Sequence, residues 1–592
     1  MDWAWAENRC WPAVMCVSVV DIGHRFVYYL NMASVQPKVI NGKTYYYLVE
    51  SARVGGKPRI VSQRYLGSAA DITAALDGAT VTPARTQHLG FGALAAVWGL
   101  LDRLGYVGIV DDVVGARRSD AGASVGTYLA LACANRVVAP RSKLAFEHWW
   151  STTAGDRWVK VPTAGLGHRR FWDAMHTVDT AALVDIERGL ATAMATKFDL
   201  RLSSMALDMT NFATFIDSGN DRAPIAQRGH AKQKRTDLRL VALAMVVTRD
   251  GGVPLVGHAY AGNRPDVAVF PAVVDELVTR YRAMAASDEE LTVVFDAGQN
   301  SAANFAHLGQ VGLHFVGSLP PSNYPDLLSI APRRRTVVDA ARYGGLTAYE
   351  TTADALGATR RVLLTHSPNL HAKQARGFDQ TLTKATRSLT ELARVLDTGK
   401  GRRDRTTLEA EITRITRPRW LTRILTITLT GTEPAEMRLS WKVDTTARRA
   451  LETELFGKRL LVTDRDTWPV VDVVAGYRSQ SDVEAGFRQL KDPKVVSFSP
   501  MWHWTDAHIR VHVSYCVTAL AVAHLMRRQA TQAGLQLSVR ELLDHLAGIQ
   551  ETLLLYPSTG GRPRARRMLT QMNPTQQQLF ELFGLDHYAP TR

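Results

Sequence analysis

Asp208, Asp296 and Glu484 are three acidic residues far apart in the chain, each read as lying at the end of a strand or helix, where folding could aim it at a shared divalent metal. Phosphodiester attack by water or a sugar hydroxyl is served by two hard cations roughly 3.5 to 4 Å apart, one activating the nucleophile and one stabilising the leaving oxygen. Magnesium prefers oxygen ligands and keeps several waters, so two or three acids from different elements suffice without a contiguous motif. The expected chemistry is cutting and rejoining of a DNA strand with two Mg2+ ions, for which Mn2+ can substitute. Asp208, Asp296 and Glu484 would be both the catalytic residues and the metal ligands.

The elements that must position these acids are legible to different degrees. Asp208, in Leu207-Asp208-Met209-Thr210-Asn211-Phe212, reads as a polar residue ending the short strand 203–208, and an acid there can also cap a turn. Asp296 follows the apolar run Val293-Val294-Phe295, and Gly298 permits a tight turn after it. Ligands of α/β sheets gather at such carboxyl ends. Ser481-Asp482-Val483-Glu484 fits a helix capping box, in which the Glu only reaches back to the N-cap amide. Against that, Glu484, Arg488 and Lys491 recur on one helical face, while Val483, Phe487 and Leu490 occupy another.

Length and composition bound the answer. A chain of 592 residues needs several structural units. Its formal charge of +15 favours a polyanionic partner, nucleic acid first, with ribosomal or membrane-surface binding behind it. Cys10, Cys16, Cys133 and Cys516 form no Cys-x-x-Cys pair, which argues for a reduced cytoplasmic compartment and against structural zinc. The most apolar stretch, 511–526, is broken by His512 and His524 and falls short of the roughly 18 residues of a membrane span.

Along the chain, residues 1–31 read as an extension without function. A hairpin over 44–66, turning at Gly55-Gly56, opens an N-terminal region, 32–199, that is otherwise helical: a bundle of unknown role by default, with a helix-turn-helix as the alternative, although no recognition helix can be assigned. From 200 to 320 strands and helices alternate, as in the first part of a mixed α/β core. Residues 321–468 read as an insertion; within it, 371–423 carries thirteen lysines and arginines against six acids, either a solvated helix face or a DNA-backbone contact. The core resumes at 469–530 with the third acid, and 531–592 is a helical end. His503, His508 and His512 lack the Glu of a zinc-protease pattern and read as packing or phosphate-contact residues.

Tyr477, Glu484 and Lys491 hold their places in the signature Tyr-x2-Arg-x3-Glu-x6-Lys, and with the first two acids they resemble the DDE transposases of bacterial insertion sequences, the insertion-sequence-four superfamily and its elongated relatives. Gln480 replaces the family arginine, removing one positive group near the DNA, and Arg478 is its candidate substitute. Gly229-His230-Ala231-Lys232, Gly262-Asn263 and His503-Trp504-Thr505-Asp506 add to the resemblance.

The resemblance implies a ribonuclease-H-like catalytic core with a β-rich and helical insertion between the second and third acids. It implies an N-terminal region that recognises terminal inverted repeats, target DNA as second partner, and a homodimer on paired ends. Such an enzyme would work in the bacterial cytoplasm, at the nucleoid. By that analogy Asp208 bridges both metals, and Tyr477, Arg478, Arg488, Lys491 and Lys232 contact DNA phosphates. Trp420 and Trp441 are candidates to stack on a flipped base. Two alternatives remain: a transposase-derived protein that binds DNA without cutting it, and a ribonuclease-H-like nuclease without strand transfer.

Overall fold

Tyrosine- and valine-rich stretches near the N-terminus pair in sequence order into a four-stranded antiparallel sheet: Met15–Ile22, Arg25–Ile40, Lys43–Val54 and Lys57–Ser68. Helix Ala69–Ala79 follows. The computed structural model describes residues 15–22, 25–54, 57–79, 83–115, 122–232, 235–284, 290–398, 403–556 and 565–591. The expected turn at Gly55-Gly56 and residues 1–14 and 23–24 of the expected extension lie outside the described residues; the hairpin strands on either side of that turn are formed, and the rest of the 1–31 segment is not an extension apart from the fold but strand in this sheet. This sheet belongs to a first unit, residues up to 88 with 552–568; a second unit holds 89–551 with 569–591.

The second unit is built on nine strands: β1 (Ser204–Thr214), β2 (Arg239–Thr248), β3 (Pro254–Ala261), β4 (Thr292–Val294), β5 (His314–Leu319), β6 (Thr336–Val337), β7 (Thr347–Ala355), β8 (Ala358–His366) and β9 (Lys458–Thr463). Their order across the sheet is β6-β7-β8-β9-β5-β4-β1-β2-β3. β1, β2 and β3 form an antiparallel meander, β4 joins β1 in parallel and β5 joins β4 in parallel. The run β3-β2-β1-β4-β5 is consistent with a ribonuclease-H-like core. Val293 and Val294 are fully buried, as a central strand covered on both faces requires.

Residues 321–468 do not simply interrupt that sheet. β8 and β9 pair with each other and β9 pairs with β5, so the segment first widens the sheet. Only then does the chain leave it, as helices Pro368–Asp397 and Arg405–Thr416, the hairpin of Leu425–Thr430 with Arg438–Val443, and helix Thr445–Leu455. This part closes its own core around Leu389, Leu408, Leu421 and Leu451. Strand pairing at long range leaves no local mark in a sequence, so the true boundary of the excursion is not written near residue 321.

Helices α1 (Asp266–Met284) and α2 (Ala302–Gln310) follow β3 and β4, and α3 (Val470–Arg478), α4 (Gln480–Lys491) and α5 (Asp506–Gln532) follow β9. α5 is apolar nearly all round. Its most apolar window has a mean hydropathy of 1.4, enough by length and composition to cross a membrane, yet 94% of that window is buried within the protein. A helix hydrophobic on every side is explained by such a core position.

Candidate active site

Asp208 does not end its strand. β1 continues six residues beyond it, and Asp208 is paired in register with Met245 of β2. The alternation explains this: Met205, Leu207, Met209 and Asn211 lie on one face, and Ala206, Asp208, Thr210 and Phe212 on the other, so one acid is a single polar position on an otherwise apolar stretch. Its Oδ1 accepts from the Met209 N–H at 2.7 Å.

Asp296 lies two residues beyond Val294, the last residue of β4. Ala206 is paired in parallel register with Val294, so two steps further along both chains Asp208 and Asp296 are neighbours on adjacent strands, whose usual spacing is about 5 Å. Asp296 Oδ1 accepts from Ser318 Oγ at 2.8 Å and from the Tyr477 hydroxyl at 3.3 Å. Ser318 is fixed in turn, its carbonyl taking an N–H from Asn300 at 2.8 Å.

Glu484 is carried by α4. Val483, Phe487 and Leu490 are buried on the face expected to pack, and Gly486 lets the helix approach Leu520 and Met245, either of which an added Cβ would meet at 3.1 Å. The helix begins one residue before Ser481. Ser479 is its N-cap, and Ser481 Oγ donates to the Arg478 carbonyl, so the capping-box reading of Ser481 and Glu484 does not hold. The Glu484 carboxylate is exposed and stands 3.7 Å from Arg488. Lys491, two turns further on, donates from Nζ to Thr210 Oγ1 at 2.6 Å and lies over the Phe212 ring. That contact lays α4 along β1, on the face from which Asp208 projects.

The three acids feel one another. Burial pushes the Asp208 carboxyl up to about 6, and the charges of Asp296 and Glu484 push in the same direction; the Met209 N–H and the Lys232 ammonium oppose them. Among the described residues no three His, Cys, Asp or Glu side chains stand close enough together to hold a metal ion. The carboxylates therefore share one electrostatic site without closing it. Glu484, exposed and turned toward Arg488, is the member that the sheet does not carry.

Lys232 is positioned from the same strand. Asn211 accepts from the Lys232 N–H at 3.2 Å and donates to the His230 carbonyl at 2.8 Å. Lys232 Nζ reaches the Met209 carbonyl and pairs with Asp266 at 3.2 Å, and Asp266 also accepts from the Tyr260 hydroxyl. Gly229 and Gly262 allow this segment to lie flat: a Cβ on Gly229 would meet Gly262 O at 2.2 Å.

A cleft of about 630 Å³ opens beside Asp296 and Glu484, with Tyr477, Arg478, Gln480 and Arg459 in its wall. Gln480 is buried there. Arg459 lies 5.6 Å from the centre of the Tyr477 ring and supplies a positive group that no motif in the sequence marks. Ser318 carries no such mark either. Both sit on strands whose neighbourhood to the acids depends on sheet order. The Arg478 guanidinium covers the Tyr343 ring at 4.4 Å. Arg488 is exposed on the helix surface.

Trp420 and Trp441 are half-buried against the core of the inserted part. Trp420 packs 5.7 Å from Phe456 and under Arg419, and Trp441 sits in the hairpin opposite Ile427. The structure gives both a packing role and does not bring them into the acidic cleft. His512 is buried, shared between the Phe498 carbonyl and the Tyr515 hydroxyl, and His503 is buried beside it, as packing histidines would be.

No family model matches the sequence, and no curated protein matches it. Among solved structures, a cryo-electron microscopy structure of the piggyBac transposase synaptic complex with hairpin DNA aligns over 78% of this chain and 82% of that one, at 10% identity and a TM-score of 0.33.

Proposed function

We propose that the protein is a metal-dependent DDE transposase, with Asp208, Asp296 and Glu484 as its catalytic carboxylates. The observation that carries the reading is the neighbourhood of Asp208 and Asp296 on adjacent parallel strands, with the helix of Glu484 tied to the same face through Lys491 and Thr210; burial and the two other acids raise the Asp208 carboxyl, against the Met209 N–H and Lys232. Such a site is short of positive charge, and its donors are all carboxylate oxygens, the set that suits Mg2+ or Mn2+. When bound, these ions would activate the attacking oxygen and stabilise the leaving one.

The remaining roles belong to the chain. Asp208 and Asp296 are fixed by the sheet, and Glu484 joins them by leaving Arg488. Ser318 and Tyr477 orient Asp296. Lys491, Lys232, Arg459 and Arg478 offer positive charge to the phosphates on either side of the scissile bond. Water would attack at the ends of a mobile element to free 3′ hydroxyls, which then attack target DNA. A homodimer on paired terminal inverted repeats, in a bacterial cytoplasm, completes the proposal.

The test is cleavage of inverted-repeat DNA with Mg2+ or Mn2+, comparing the parent with Asp208→Ala, Asp296→Ala and Glu484→Ala. Cutting by the parent alone supports the reading, and equal cutting by all four ends it. Tracing whether the freed 3′ ends join a second duplex separates a transposase from a nuclease. A parent that binds but never cuts would be the DNA-binding descendant.

A further inference from the structure

A second cavity, of about 400 Å³, lies at the start of β1, where Arg201, Arg249 and Arg342 converge on Ser203, Ser204 and Asp250. Most arginines of this unit that gather near acids are paired with them, as Arg188 is with Glu276, Arg280 with Glu187 and Arg465 with Glu290. Arg201, Arg249 and Arg342 have no carboxylate partner among the described residues. The one acid in the wall, Asp250, is engaged by Arg528 at 2.6 Å. Ser204 is only 5% exposed, and its hydroxyl has no hydrogen-bond partner. A buried hydroxyl left unpaired costs free energy unless something else supplies the bond.

Three unpaired guanidiniums around an unsatisfied hydroxyl form a receptor for a tetrahedral anion, since guanidinium N–H groups match phosphate oxygens. The cavity is linked to the acidic cleft through one side chain: the Tyr343 ring carries Arg342 at 5.2 Å and Arg478, which lines the cleft, at 4.4 Å. Ser204 is also four residues from Asp208 on the same strand and the same face, roughly 13 Å at about 3.3 Å per residue. Phosphates wind about the duplex axis, so neighbours on one strand stand roughly 7 Å apart rather than the 3.4 Å axial rise, and that span is about two steps.

We propose that this cavity binds a backbone phosphate of the DNA strand, about two nucleotides from the scissile phosphate, with Arg201, Arg249, Arg342 and Ser204 as its ligands. The inference rests on the reading of the acidic cleft as a DNA-cutting site. It adds a fixed point that sets the register of the strand across Asp208.

The experiment measures binding of an inverted-repeat duplex without divalent metal, for the parent and for Arg201→Gln/Arg342→Gln. Both arginines are exposed, so the variant folds, and a thermal melt verifies it. The slope of log affinity against log salt is expected to fall by about 0.9 for each phosphate no longer neutralised. In duplexes carrying one uncharged methylphosphonate at successive positions, the parent binds more weakly when the substitution lies about two steps from the cut, and the variant does not. Equal slopes, or a methylphosphonate effect that adds in full to that of the variant, overturn the proposal. Inorganic phosphate that stabilises the parent but not the variant, with the DNA slopes unchanged, assigns the cavity to a free anion and overturns it too. A parent that binds no DNA removes the proposed function as well. One that binds and cuts with unchanged slopes removes this inference alone.

Discussion

Lys491 Nζ donates to Thr210 Oγ1 at 2.6 Å, a contact that ties the helix bearing the third acid to the strand bearing the first. Thr210 is two residues from Asp208, and Lys491 is seven from Glu484, so one bond fixes how far apart the two carboxylates can drift. Lys491→Met keeps much of the stem packed on Phe212 and removes the bond. Hydrogen bonds from charged groups contribute on the order of 1.5–3 kcal/mol, so a roughly tenfold or larger fall in cleavage rate is expected. Single-turnover cleavage checks it, and a rate equal to that of the parent would show that the helix is held by its apolar face alone.

Asp208 gives the protein a pH signature. Below about pH 4 the carboxyl is protonated in folded and unfolded chains alike and shifts nothing. Between there and its folded value of about 6, the folded chain binds the proton and the unfolded chain does not, so stability falls as pH rises through this window. Above it the full deficit, on the order of 3 kcal/mol at about 1.4 kcal/mol per unit, remains. Asp208→Asn removes the deficit. Urea denaturation should find the variant more stable than the parent at about pH 8 and equal to it near pH 4, and Mg2+ should stabilise only the parent. Parallel stability curves would contradict the burial of this carboxyl among like charges.

Ser318 holds Asp296 from behind. Ser318→Ala leaves Asp296 with only the longer contact to Tyr477, and removing a hydrogen bond that orients a metal ligand typically weakens metal affinity by about 10- to 100-fold. The half-saturating Mg2+ concentration for cleavage should rise in that range, while the rate at saturating metal changes less. A fall in the saturated rate with no shift in Mg2+ dependence would place Ser318 outside the support of the metal site.

Gly262 is a packing requirement. A methyl there would stand 2.1 Å from the Leu240 carbonyl oxygen and 2.6 Å from Leu240 Cβ, so backbone must move. Gly262→Ala should cost about 1–3 kcal/mol of stability. Because Gly229 lies against Gly262, the same change should displace Lys232 and lower DNA affinity. Unaltered denaturation would show that the loop yields without strain.

The parts of the site legible in the sequence are those written locally. Asp296 follows a short valine run and precedes a glycine turn, and the structure places it where those residues imply. The two faces of α4 are readable from the spacing of Val483, Phe487 and Leu490. Asp208 misleads because an acid within an apolar stretch looks like its end, whereas pairing with β2 carries the strand through Thr214. Ser318 and Arg459 are invisible for a different reason: each joins the acids only through the order of strands across the sheet, and Arg201, Arg249 and Arg342 lie in loops and turns that meet only in the fold. The same non-locality hides the widening of that sheet by residues that read wholly as an insertion.

Two of the acids ride on a rigid floor, and the third is parked against Arg488 on the outside of a helix. An exposed pair of that kind contributes only about 0–1 kcal/mol, so an arriving phosphate competes for Arg488 on nearly equal terms. If the proposed function holds, a molecule without DNA would keep its three carboxylates apart, and a backbone phosphate drawing Arg488 away would free Glu484 to join the other two.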